Sequence, residues 1–280
     1  MKIWDCFNFY NELDLLELRL EELYDVVDHF VLCENTVTHM GDDKPLYFEE
    51  NKERYSKYLD KIVHVVVDDM KGKGRAYIDI EQKNRCIDGL SNCTRDDLIL
   101  YSDLDEIPIR SKLKEVIEEY KVTKQPFCLQ GNFHCYFLNG IRSSEGEFQK
   151  WNGPTGISHA TLETSGLTLN QLRDLRDKHP QIKIFKETAC HLTYIGTPEQ
   201  IEIKLRNWGH AVDLGKNFME GVDDVPAKIQ SFIDEGKFLF NEHRVRYVDP
   251  DEIPMLESYT ENKEKYYHLI SSYNPSLKET

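Results

Sequence analysis

From Ile3 onward, apolar runs of strand length alternate with stretches whose apolar residues recur at helical spacing, and that alternation admits few folds. Ile3 to Phe9 reads as a strand. Leu13, Leu16, Leu20 and Leu23 then recur among Glu and Arg, with Asn11 as the predicted N-cap. His29 to Cys33 is a second strand, Glu49 to Leu59 a polar helix, and Ile62 to Val67 a third strand. A helix follows from about Ala76 to Leu90, then the strand Leu98 to Tyr101, then a helix near Lys112 to Tyr120. Phe127 to Leu138 and Thr188 to Tyr194 read as later strands, Asn139 to Gly146 as a loop, and Gln200 to Trp208 and Pro226 to Glu235 as helices. The pattern is that of an α/β layer fold, a mostly parallel central sheet flanked by helices. No internal repeat or low-complexity linker interrupts it, so one continuous domain over residues 1–280 is expected.

Composition removes several function classes. Lys and Arg total 35 against 50 Asp and Glu, a net charge of −15, so no basic footprint exists for nucleic acid or an anionic membrane surface. An anionic substrate would need local Lys, Arg or a bound metal cation to receive it. The longest apolar runs are strand-sized, and no membrane span is expected. The N-terminal residues reach Asp5 before an apolar core of a signal peptide forms. The seven cysteines are odd in number and lack CxxC spacing, which reads as buried free thiols in a reducing, cytoplasmic setting. The sequon Asn92-Cys93-Thr94 then carries no meaning.

The most informative stretch runs from Asp97 to Pro108, where the buried strand Leu98-Ile99-Leu100-Tyr101 ends in Asp103, Asp105 and Glu106. In extended backbone, residues two apart share a side, so Asp103 and Asp105 are expected to face one cation together. Two convergent carboxylates suit Mg2+ or Mn2+, which keep positions open for phosphate oxygens. Ligands of open α/β sheets bind beyond the carboxyl ends of strands. The bland alternative is a solvated acidic turn, but mutually repelling charges at a strand end call for a counterion. Asp-x-Asp after such a strand has two main enzymatic meanings. One is an Asp-nucleophile phosphotransferase, which expects Thr or Val where Ile107 stands. The other is the metal-binding motif of nucleotide-sugar transferases.

Several spaced blocks bear on that choice. Trp4 to Arg19, then Val27 to Glu34, Thr38-His39, Gly41 and Lys44 to Phe48 resemble successive blocks of glycosyltransferase family 17. Asp103-Leu104-Asp105-Glu106-Ile107-Pro108 resembles its Asp-x-Asp-Glu-Ile-Pro signature, and His191-Leu192-Thr193-Tyr194 a later His block, with Lys204 and His210 in similar register. The resemblance covers most of the chain and is strongest over residues 4–110. It implies an inverting transferase of the A-type glycosyltransferase fold, Rossmann-like, that takes UDP-GlcNAc and acts on mannose of a glycan or glycoprotein. The nucleotide-sugar half would be about 1–124 and the acceptor half about 125–280. No membrane anchor or stem is expected from the sequence, a departure from the animal members that leaves the acceptor open.

On this reading Asp103 and Asp105 hold the metal. Glu34, at the end of the second strand, would hydrogen-bond ribose or base, or act as a cap. Lys44 would meet the diphosphate, or be solvated beside Pro45. Arg85 would pair with a carboxylate of the site or with the donor, or lie on a solvated helix face. His191 would complete the metal site as neutral imidazole, or be a satisfied core histidine. Trp151 and Trp208 offer flat faces for a sugar ring, or pack in the core. Glu145, Glu147 and Asp213 are the candidate bases. The expected activity is metal-dependent transfer of a sugar, GlcNAc from UDP-GlcNAc, to a glycan hydroxyl. The alternatives are an Asp-nucleophile phosphatase, a sugar-nucleotide pyrophosphorylase and a non-catalytic carbohydrate-binding protein.

Overall fold

The computed structural model describes residues 1–271 apart from 177–178 and 208–210. Its strands are β1 (Ile3–Phe9), β2 (His29–Asn35), β3 (Ile62–Val67), β4 (Leu98–Asp103), β5 (Glu106–Pro108), β6 (Phe127–Cys135), β7 (Phe137–Ser144), β8 (Glu147–Phe148), β9 (Lys150–Ser158), β10 (Lys183–Thr193) and β11 (Arg244–Tyr247). The order β11-β7-β6-β9-β4-β1-β2-β3 runs through one sheet, so the two halves expected from the sequence share it.

The four strands β3-β2-β1-β4 are parallel, as expected, and parallel neighbours need crossovers long enough to return the chain. The helix Leu13–Leu23 supplies the first, and the helix Arg75–Arg85 with the 3-10 turn Cys86–Leu90 the last. Period-two alternation divides the core between the two faces. Phe7 and Phe9 of β1 and Leu98 and Leu100 of β4 pack under the helices Leu13–Leu23 and Arg110–Thr123. Trp4, Cys6, Ile99 and Tyr101 point the other way, against Ile78 and the helix Leu169–Leu175. Beyond β4 the sheet turns antiparallel through β9, β6, β7 and β11, while β10 runs parallel to β6. A third cluster around Phe133, Tyr194 and Phe238 lies beneath the helices Pro198–Asn207 and Val225–Asp234.

The local differences from expectation have physical causes. The apolar run 127–138 is two strands, because Tyr136 takes a left-handed φ of 68° and its hydroxyl donates to the Lys237 carbonyl at 2.8 Å. With no Gly or Pro at the bend, the turn was invisible in composition. The expected loop 139–146 is β7 as far as Ser144, with the reversal confined to Glu145 and Gly146 at positive φ. The polar helix 49–59 is a helical turn, Tyr47–Glu50, followed by 3-10 backbone over Lys52–Tyr58. Asn11 does not cap the first helix; Glu12 holds that position without a side-chain cap bond. All seven cysteines are free thiols, six of them buried. No described helix is long and apolar enough to cross a membrane.

Candidate active site

β2 and β4 lie on opposite sides of β1, so the sheet order reverses there and leaves a crevice beyond the carboxyl ends. A cavity of about 600 Å³ occupies it, walled by Asn8 and Tyr10 at the end of β1, Thr38 and His39 after β2, and Asp103 and Asp105 at the end of β4.

The acidic motif is not extended throughout. β4 ends at Asp103, a turn carries Leu104 and Asp105, and β5 restarts at Glu106. The expectation that Asp103 and Asp105 face one cation because of strand alternation is therefore corrected. Asp103 accepts from Arg173 of the Leu169–Leu175 helix at 2.5 and 3.1 Å. Burial pushes the Asp103 carboxyl up, but Arg173 and Lys83 outweigh it and hold the group well below the usual carboxylate range. Asp105 instead accepts from Lys204 of the Pro198–Asn207 helix at 2.9 Å, and Lys204 also reaches Glu12 at 3.3 Å. Burial would lower the Lys204 pKa, but Asp105 and Glu12 raise it.

His191 arrives from far along the chain by strand pairing. β10 lies antiparallel to β5 with His191 opposite Glu106, and Leu192 N–H donates to the Asp105 carbonyl at 2.7 Å. Gly131 on β6 makes this possible, since a Cβ there would lie 1.6 Å from the Ala189 carbonyl oxygen of β10. His191 Nε2 then faces Asp105 Oδ1 at 3.7 Å, and its Nδ1 is buried without a hydrogen-bond partner. Burial lowers the His191 pKa, partly offset by Asp105 and Glu106, which favours the neutral ring. A nitrogen and an oxygen at this separation fit two ligands of one divalent cation, whose remaining positions would be open. Among the described residues no cluster of three His, Cys, Asp or Glu side chains offers a closed metal cage. The donor set that fits is thus Asp105 with His191, and Asp103 is engaged by Arg173.

Trp151 lines the cavity, as expected, but its ring is already stacked on His191 with centroids 4.5 Å apart. Its indole N–H donates to Glu106 at 2.7 Å, and Arg176, over the Trp151 ring, donates to the same carboxyl at 2.8 Å. Trp151 and Glu106 therefore orient His191. Lys44 lines the cavity too, with Glu34 behind it at 3.1 Å. Glu34 itself is fully buried, also contacting His64 and the Phe48 N–H, and does not reach the wall. Arg85 pairs with Asp69 and Asp88 away from the cavity; the helix presents Lys83, paired with Asp79, to the site instead. Glu145 and Glu147 are exposed on the β7–β8 hairpin, and Asp213 is exposed while its neighbour Leu214 lines the wall, so none of the three candidate bases stands on it. Trp208 and His210 lie outside the described residues.

Sequence reasoning passed over Arg19. Its guanidinium binds Asp5 at 2.6 and 2.8 Å and donates at 3.0 Å to the carbonyls of Asp103, Leu104 and Glu106, so it shapes the acidic turn from beneath. The signal was present: Arg19 interrupts the apolar stripe Leu15, Leu16, Leu20, Leu23, where a charge is tolerated only if paired. Arg142 and Arg173 had no such signal.

Over residues 1–135 the chain matches glycosyltransferase family 17. That match contains β1 to β6 and the acidic turn, and ends before His191 and Lys204. Among curated proteins, the chain is 30% identical over 182 residues to the rat β-1,4-mannosyl-glycoprotein 4-β-N-acetylglucosaminyltransferase, covering 61% of this chain and 31% of the relative. The human protein of that name is 32% identical over 118 residues, 39% of this chain and 22% of the relative. The aligned region thus spans less than a third of either relative. Among solved structures, a mannosyltransferase from Pyrobaculum calidifontis in complex with GDP-Man and Mn2+ aligns over 83% of this chain and 69% of that one, with 12% identity and a TM-score of 0.44.

Proposed function

We propose that the chain is an inverting glycosyltransferase that moves a sugar from a nucleotide-sugar donor, UDP-GlcNAc, to a hydroxyl of a glycan or glycoprotein, with Mn2+ or Mg2+ as cofactor. The observation that carries it is the convergence of Asp105 and His191 at 3.7 Å inside the cavity at the sheet's reversal point, with Asp105 on the acidic turn inside the matched residues 1–135. Asp105 and His191 would hold the cation. When bound, the cation neutralises charge that develops on the departing diphosphate.

The chain's own side chains do the rest. Lys204 fixes the Asp105 carboxylate, and Trp151 with Glu106 fixes the plane of His191. Lys44, Lys83 and Arg173 place positive charge along the wall in an otherwise acidic molecule, which receives the donor's anionic portion. The acceptor hydroxyl must lose a proton as the new bond forms. Glu12 and Asp79 are the wall carboxylates that remain once Asp103 and Asp105 are engaged, and they replace Glu145, Glu147 and Asp213 as base candidates.

Calorimetric titration with UDP-GlcNAc in Mn2+ and in EDTA tests this reading. Binding is expected with the cation and at least tenfold weaker without it. Equal affinity in the two buffers, or no binding of uridine nucleotides at all, refutes it.

A further inference from the structure

Of the cavity's lysines and arginines, Lys44, Lys83, Arg173 and Lys204 each have a carboxylate within 4 Å, namely Glu34, Asp79, Asp103 and Asp105. Arg142 of β7 is different. It lines the same cavity, yet among the described residues no carboxylate pairs with it. Its guanidinium is held over the Phe133 ring at 4.0 Å and near the Phe238 ring at 4.9 Å, and its buried Nε–H has no acceptor. Aromatic faces attract a cation but accept no in-plane N–H bonds, so the fork stays poised and unsatisfied. Burial accordingly depresses the Arg142 pKa, with no acidic side chain among the causes that offset it. A half-buried arginine without a counter-ion in a chain of net charge −15 is a place kept for an anion from outside.

The position says which part of a substrate brings that anion. Lys44 and Lys83 belong to the end of the cavity formed after β2 and by the Arg75–Arg85 helix. Arg142 lies instead against Phe133 and Phe238, and these, like the cavity residues Tyr194, Phe240 and Asn241, all come from the chain after residue 125. Phe133 separates it from His191, with ring centroids 4.6 Å apart. We infer that Arg142 is an anion subsite at the acceptor end, and that the acceptor is an acidic glycan whose carboxylate or phosphoryl group it receives. This rests on the transferase reading above. The planar fork suits either group, both of which take paired N–H donors.

The test uses the full chain with the donor end filled by saturating UDP and Mn2+, so that an added anion cannot report on that end. Calorimetry then compares glucuronic acid, glucose 6-phosphate and neutral methyl glucoside. At least one acidic sugar is expected to bind tenfold or more tightly than methyl glucoside, and which one does so separates carboxylate from phosphoryl recognition. Arg142→Gln should erase the difference while UDP affinity stays within twofold, and Arg142→Lys should retain part of it. Equal affinity of the wild type for all three sugars overturns the inference, and needs no variant to do so. So does an Arg142→Gln protein that keeps the preference but loses UDP affinity, since the arginine would then serve the donor. A wild type that binds no UDP at all instead refutes the transferase reading.

Discussion

Replacing Arg19 by Met should separate what stabilises the fold from what shapes the site. The Arg19–Asp5 pair is fully buried, and removing one partner of such a pair costs about 3–5 kcal/mol because the other charge is stranded. The same guanidinium is the donor to the carbonyls of Asp103, Leu104 and Glu106, each costing about 1 kcal/mol when left without a partner. The expected loss is about 6–8 kcal/mol, a large share of the roughly 5–15 kcal/mol that holds a domain together. Urea unfolding followed by circular dichroism measures it. Adding Asp5→Asn removes the stranded charge and should return about 2–3 kcal/mol. It does not restore a donor beneath the turn, so metal-dependent UDP binding should remain at least tenfold weaker in the double variant. The reasoning fails if Arg19→Met costs under 1 kcal/mol, or if the double variant binds UDP as the wild type does.

Asp105→Asn should leave the urea midpoint nearly unchanged, because Lys204 keeps Glu12, while Mn2+-dependent UDP affinity falls at least tenfold, about 1.4 kcal/mol. Wild-type affinity at ordinary Mn2+ concentrations would remove Asp105 from the ligand set. Burial lowers the pKa of His134 to about 4, and its Nδ1–H donates to the Leu138 carbonyl. The unfolded chain, with the ordinary value near 6.5, takes the proton first. Stability is therefore intact at neutral pH and lost as pH falls from about 6.5 to 4, by up to about 3 kcal/mol. His134→Asn should flatten that part of the stability profile, and parallel profiles for the two proteins would count against the assignment.

Much of the first half of the molecule was legible in the chain itself. The limits of β1 and β3 agree with their apolar runs, because each strand is bounded by turns and buried on at least one face. The acidic turn was legible for a related reason: a buried strand that stops at carboxylates must meet counter-charge. The second half was less so. Antiparallel strands such as β7 and β9 carry Gly, Asn and Ser where one face meets solvent or the cavity, so most of β7 reads as a loop and β9 gives no strand signal.

Local pattern decided the layers, the parallel strands and the place of the acidic turn, since periodicity and burial act over a few residues. It could not decide which side chains share a cavity. Asp105 meets His191 because β10 pairs with β5, and it meets Lys204 because a helix after residue 197 packs beside that edge. Arg173 takes Asp103 away from the expected shared cation, and the exposed hairpin carries Glu145 and Glu147 clear of the wall. Each of these outcomes depends on long-range strand pairing and helix packing, which no window of sequence contains.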